Sequence, residues 1–256
     1  MSEHIHTETR DGVQAIEIRR PEKKNALTEA MYRALGEAMA RSERDADVRV
    51  VLIRGQPGVF TSGNDIVDFL EHPPTSVEDP VFQFLKAIIH AAKPIVVGVT
   101  GAAVGIGTTM LLHSDYVVAG EGAQFAVPFV NLGLCPEAGS SLMLPMALGY
   151  KRAAELLLFG ERIDAARALD WGLVNLVVPD AQVFEVSMAK ALMLAAKPAQ
   201  ALRVSKALLK RSIAPLANEA MLAEAQEFRT LLHSRAAREA LSAFVEKRPP
   251  DVSKFK

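Results

Sequence analysis

The sequence predicts an α/β fold of repeated strand–loop–helix units, followed by an all-helical C-terminal third. Three observations carry that expectation. Val48–Asp65 and Ile95–Thr108 share one plan: an apolar strand, a glycine-containing loop and a helix start. The runs Val48–Arg54 and Ile95–Thr100 are almost continuously apolar, as strands buried on both faces are. Glycine stops at Gly172, and the remaining chain reads as helix almost throughout. Two such units side by side would bring two helix starts, with their free N–H groups, to one sheet edge.

Taken in order, Val13–Arg19 reads as an early strand that Pro21 ends. Thr28 is placed to N-cap a helix whose apolar positions Met31, Leu35, Ala38 and Met39 fall on one face. The Asp45–Asp47 turn precedes the strand Val48–Arg54, and a loop from Gly55 leads to a short helix between Asp65 and Leu70. The proline-rich loop 72–80 carries no packing signal and reads as mobile; a helix over 81–91 follows. After the strand Ile95–Thr100 come a glycine loop (Gly101, Gly105, Gly107), an apolar helix pattern and the strand Tyr116–Ala119. Helices are expected over 141–148, 151–159 and 164–171, the last with Gly172 beyond its end. A short strand over 174–178 precedes helices over about 180–196, 199–211, 215–233 and 235–246.

The 256 residues fit one large domain, or one domain with an appendage, and half are hydrophobic, enough for a substantial core. Lysine plus arginine (29) nearly equals aspartate plus glutamate (30), so no nucleic-acid partner is expected. The single cysteine, Cys135, excludes an internal disulfide framework and fits a reducing compartment. The polar N-terminus lacks a signal-peptide hydrophobic region, and apolar runs stop short of a membrane span. A soluble, cytoplasmic protein is expected.

Gly105-Ile106-Gly107 lacks the third glycine of a dinucleotide fingerprint, since Met110 stands there, and no phosphate-loop lysine follows. His113-Ser114-Asp115 cannot fold its neighbours into a triad, and Cys135 has no activating base. His72, His90 and His233 lack ligand spacing, so no metal is expected. Between Ile95 and Ala154 the acids are Asp115, Glu121 and Glu137. Asp115, at a strand start, suits backbone amides, and Glu121 suits a solvated turn. Glu137 stands open between two roles, a working carboxylate and an exposed glutamate favoured by a helix dipole.

Several segments together resemble the crotonase (enoyl-CoA hydratase/isomerase) superfamily over nearly the whole chain. They are RPEKKNAL (20–27), TSGNDI (61–66), KPIVVGVTGAAVGIG (93–107), DYVVAGEGAQFAVP (115–128), LFGERIDAARALDWGLVN (158–175) and SAFVEKR (242–248). The resemblance implies a spiral of ββα units over 1–197 and a helical region over 198–256 that trimerises and covers the site. It implies an acyl-CoA substrate, a homotrimer or dimer of trimers, and no cofactor beyond the CoA of the substrate. The thioester oxygen would sit between the backbone amides of Asn64 and Ile106. Lys24, Ala26, Leu27, Ser62, Gly63, Asp65, Ile66, Gly105, Gly107, Phe129, Leu132 and Pro136 correspond to positions around the CoA moiety and the substrate.

Departures from the family pattern direct the reaction. Hydratases of this family carry two glutamates where this chain has Thr109 and Phe129. The run LGLCPEAGSSLMLP places Glu137, after Pro136, where the peroxisomal-type Δ3,Δ2-enoyl-CoA isomerase branch has its catalytic glutamate. One carboxylate suffices to carry a proton from C2 to C4. Phe129 and Leu132 are expected to exclude water around it and raise its pKa. The alternatives are a hydratase or other crotonase reaction, and a non-catalytic acyl-CoA-binding protein.

Overall fold

The computed structural model describes residues 2–255. The chain begins with an antiparallel hairpin of β1 (Ile5–Arg10) and β2 (Val13–Ile18). Asp11 and Gly12 turn it, both at positive φ, as a two-residue hairpin requires. β1 is absent from the sequence expectation because its IHTETR run is polar and, in the fold, mostly exposed. The Asp-Gly pair was the readable signal.

From β2 the first sheet grows by parallel addition of β3 (Val50–Arg54), β5 (Ile95–Val99), β7 (Tyr116–Gly120) and β10 (Leu176–Val178). All but β10, and the last residue of β3, are heavily buried, which explains their valine- and isoleucine-rich runs. β3 starts at Val50 rather than Val48, and β10 at Leu176 rather than Val174. A second sheet, missed in the sequence, has the order β4 (Val59–Thr61), β6 (Ala102–Val104), β8 (Gln124–Ala126) and β9 (Ile163–Asp164). At two or three residues each, its strands are too short to show an alternation. β4, β6 and β8 each follow a long strand of the first sheet, so the chain climbs as a spiral of ββα units. Gly101 marks one corner: a Cβ there would lie 1.9 Å from the Gly58 carbonyl oxygen.

Helix α1 (Glu29–Arg44) is capped by the Thr28 hydroxyl, which accepts from Met31 N at 3.3 Å, and buries Met31, Leu35, Ala38 and Met39 as its spacing predicts. Its partner is α3 (Pro80–Ile89). Asp65 caps α2 (Ile66–Glu71). The 72–80 loop is tied down rather than free: Asp79 Oδ2 accepts from Thr75 N and Ser76 N, and Arg229 donates to the Thr75 carbonyl. After α4 (Ile106–Thr109), the chain passes through β7 and β8 to α5 (Ser140–Leu148), α6 (Tyr150–Ala154) and α7 (Ala165–Trp171).

The final third is helical: α8 (Val183–Ala195), α9 (Ala199–Lys210), α10 (Ile213–Leu232) and α11 (Arg235–Val245). α8 covers one face of the first sheet. α9 is stapled to it by buried Lys206, whose ammonium donates to Asp115 Oδ2 (2.6 Å) and to the Lys93 carbonyl (2.7 Å). Asp115 also accepts from Ile95 N at 2.7 Å, the backbone role its strand-start position suggests. α10 packs on α5, and α11 on the turn at Val130–Leu132. No described helix is long and apolar enough to cross a membrane.

Candidate active site

β4 and β6 pair in parallel, and each runs into a loop that ends in a helix start. The loops touch closely: a Cβ on Gly63 would lie 3.0 Å from Val104 O, and one on Gly107 would lie 3.0 Å from Thr61 O. Gly105 adopts φ +56° and ψ −120°, a backbone state that strains any residue with a Cβ. The amides of Asn64 and Ile106 follow these glycines, and neither donates to a protein acceptor among the described residues. Two unspent N–H groups thus lie on neighbouring loops at the rim of one cavity.

Asn25, whose partner role sequence reasoning missed, holds this edge together. It is fully buried at φ +54°, and its side-chain amide donates to Ile18 O (3.1 Å) and Phe60 O (3.0 Å) while its oxygen accepts from Arg20 N (2.6 Å). Thr61 Oγ1 donates to Asn25 O at 2.6 Å and accepts from Gly63 N at 3.1 Å. Arg20 donates to Asp65 Oδ2 at 2.7 Å, which with capping of α2 holds the Asp65 carboxyl below the usual range despite burial.

Glu137 lies on the turn before α5. Its carboxyl closes an apolar pocket lined by Phe69, Phe82, Leu85, Met221 and Phe228. Phe69 and Phe228 meet edge to face at 5.8 Å over it. Burial pushes the Glu137 pKa up to about 7, opposed by the Thr109 hydroxyl, which donates to Oε1 at 2.8 Å, and reinforced by the nearby Glu224 carboxylate. Thr109 therefore serves the very carboxylate that remains. The α5 N-terminus is not capped by Glu137. Glu224 of α10 accepts from Gly139 N (2.6 Å) and Ser141 N (2.8 Å) there, which removes the helix-dipole reading of Glu137. His113, buried and neutral with its pKa lowered by burial to about 4, donates from Nε2 to Ala138 O at 2.7 Å. Burial raises the Cys135 thiol to about 11, so it is no nucleophile.

The cavities place the remaining candidates. Ser62, Gly63, Asn64, Ile66, Gly105, Ile106, Phe129 and Leu132 line one cleft of about 380 Å³, together with Phe244, Arg248 and Pro250 from the C-terminal region. Asn64 and Phe69 are shared by this cleft, the Glu137 pocket and a third cavity of about 250 Å³, which Leu27, Tyr32 and the 72–80 loop line. Lys24, Ala26, Asp65, Gly107 and Pro136 line none of the three; Lys24 instead accepts from Ser62 N through its carbonyl. Phe129 and Leu132 face the large cleft and not the Glu137 pocket, so the desolvation of Glu137 comes from α2, α3 and α10 instead. Tyr32, which donates to Asn64 Oδ1, was missed as well; its position on the apolar face of α1 gave no polar signal.

A ββα spiral with two unengaged amides beside a buried carboxylate defines a class of protein, the acyl-CoA enzymes of the crotonase type. The chain belongs to the enoyl-CoA hydratase/isomerase family, whose sequence profile matches residues 8–254. It is similar to the 1,2-epoxyphenylacetyl-CoA isomerase of Escherichia coli K12, with 30% identity over 99% of both chains. It is 33% identical to the human enoyl-CoA delta isomerase 2 over 78% of this chain and 52% of the human protein, so it spans about half of that relative. The solved structure of Pseudomonas aeruginosa OdaA superposes with a TM-score of 0.93 at 45% identity, covering 95% of this chain and 99% of that one. Relatives of comparable identity carry hydratase names too.

Proposed function

We propose that the chain is a Δ3,Δ2-enoyl-CoA isomerase with Glu137 as its proton carrier. The observation that carries this reading is the buried Glu137 carboxyl, held by Thr109, in a pocket that shares Asn64 with the cleft of free amides. The Glu137 carboxylate removes a proton from C2 of a 3-enoyl-CoA. The electron pair moves into the thioester carbonyl, giving a dienolate whose oxygen the Asn64 and Ile106 amides hold. Such donors are worth roughly 3 kcal/mol each in measured oxyanion holes. The carboxylic acid then returns the proton at C4, and the double bond comes to rest between C2 and C3. A carboxyl with a pKa of about 7 suits both halves, because it gains and loses its proton easily near neutral pH.

In this reading the CoA moiety runs along Ser62–Ile66 and Gly105–Gly107, with Lys24, Ala26 and Leu27 beside it, and no further cofactor takes part. The exposed apolar residues Met193, Leu208 and Leu209 support a homotrimer or a dimer of trimers. The test is turnover of trans-3-enoyl-CoA in a coupled assay, where full activity of Glu137→Gln would refute the mechanism. Hydration is the second reading, supported by the relatives with hydratase names. Measurable hydration of crotonyl-CoA by the wild type would favour it over isomerisation.

A further inference from the structure

Glu137 is not the sole buried acid at the site. Glu224, from the middle of α10, is 7% exposed and sends both carboxyl oxygens into the turn that carries Glu137. The mechanism above gives it no task.

The turn needs holding. Ala138 sits at φ +60° and Gly139 at +74°, so a residue with a Cβ occupies the left-handed region directly after Glu137. That state costs on the order of 1 kcal/mol or more and persists only where the surroundings enforce it. Three groups do so. Thr109 holds the Glu137 carboxyl, His113 holds the Ala138 carbonyl, and Glu224 takes the amides of Gly139 and Ser141. α10 also meets the turn in close contact: a Cβ on Gly139 would lie 2.8 Å from Ala217 O. The same helix supplies Met221 and Phe228 to the Glu137 pocket, so one element contributes both to the position of the carboxyl and to its dryness.

We propose that Glu224 is a positioning residue for Glu137: by binding the Gly139 and Ser141 amides it fixes the left-handed turn that holds the Glu137 carboxyl in the pocket bordered by Asn64. This rests on the reading of Glu137 as proton carrier. Glu224 lines none of the three cavities and therefore acts through the turn rather than on substrate. Its charge acts in the same direction as burial, holding the Glu137 pKa up. The other ionisable groups around the turn are Cys135 on the turn itself, His113 ahead of β7, Tyr32 on α1, and Glu227 and Arg229 on α10.

The experiment titrates carboxyl-13C glutamate by NMR in the wild type, Glu224→Gln and Glu137→Gln, with kcat and KM on trans-3-enoyl-CoA in parallel. The expected result for Glu224→Gln is a Glu137 midpoint moved to lower pH. It is accompanied by a loss of kcat on the order of 10-fold or more, with KM changed less than about twofold. An unmoved Glu137 midpoint, with only a lower melting temperature, would overturn the proposal and leave Glu224 a plain helix cap. If Glu224→Gln does not fold, Glu224→Asp decides: it keeps the charge but shortens the reach to the Gly139 and Ser141 amides, so kcat should fall with the Glu137 midpoint held up, and an unchanged kcat refutes the positioning role. If the wild type turns over no 3-enoyl-CoA while the midpoints shift, the isomerase reading falls and the coupling of Glu224 to Glu137 stands.

Discussion

The two halves of the site are made in different ways. The amides of Asn64 and Ile106 are placed by backbone alone, through the pairing of β4 with β6 and glycines within a residue or two of each amide. The Glu137 carboxyl is placed by side chains from two distant segments: Thr109 and His113 on one helical stretch, and Glu224, 85 residues from the Gly139 amide it binds. A donor pair made of backbone tolerates change in most neighbouring side chains but not in its glycines. A carboxyl held by side chains can be tuned one hydrogen bond at a time.

The largest effect is expected at the carboxyl itself. Glu137→Gln should lower kcat for 3-enoyl-CoA isomerisation roughly 10²- to 10⁴-fold, the usual yield of general acid–base catalysis. Next comes the backbone half: Gly105→Ala, at φ +56°, should cost roughly 10²- to 10³-fold in kcat by displacing the Ile106 amide, with the Glu137 pH profile unchanged. A Gly105→Ala enzyme with full activity would break the contrast, because the loop would then be shown to tolerate a Cβ.

Stability sharpens it further. The folded-state pKa of Glu137 is raised from about 4.5 to about 7, so the folded protein binds the extra proton between those values. Its contribution to stability is therefore best below about pH 4.5 and declines as pH rises to about 7. Glu137→Gln should thus be more stable than the wild type at pH 8, by up to roughly 3 kcal/mol, and the gain should vanish near pH 4. Denaturant unfolding at the two pH values measures it. The smallest change belongs to Thr109→Val. It removes one hydrogen bond worth about 1 kcal/mol to the carboxylate form, so activity should fall several-fold and the acidic limb of the kcat/KM profile should move to higher pH. A limb moving to lower pH would show that Thr109 favours the acid form instead.

The same division explains what the sequence made visible. Gly105 and Gly107 follow an apolar strand directly, and the echo at Gly63 lies on the same plan, so the backbone half could be read from local pattern. The strands β4, β6 and β8 stayed hidden because three residues are too few to show a period. Glu137 was readable as an acid among small residues, but not its environment. Phe69, Phe82, Leu85, Met221 and Phe228 come from three helices whose apolar stripes look like ordinary core. Glu224 sits in a helix with Glu219 and Glu227 nearby, and nothing local distinguishes the one that turns inward.

The position of α10 in the chain also sets a time order. The strands and glycine loops that present the Asn64 and Ile106 amides are synthesised well before Glu224, and Arg248 and Pro250, which line the same cleft, emerge later still. A domain folds as a unit, and its N-terminal part leaves the ribosome first. Until α10 has been made, the Glu137 turn lacks its clamp. Assembly of the reactive centre therefore waits for α10.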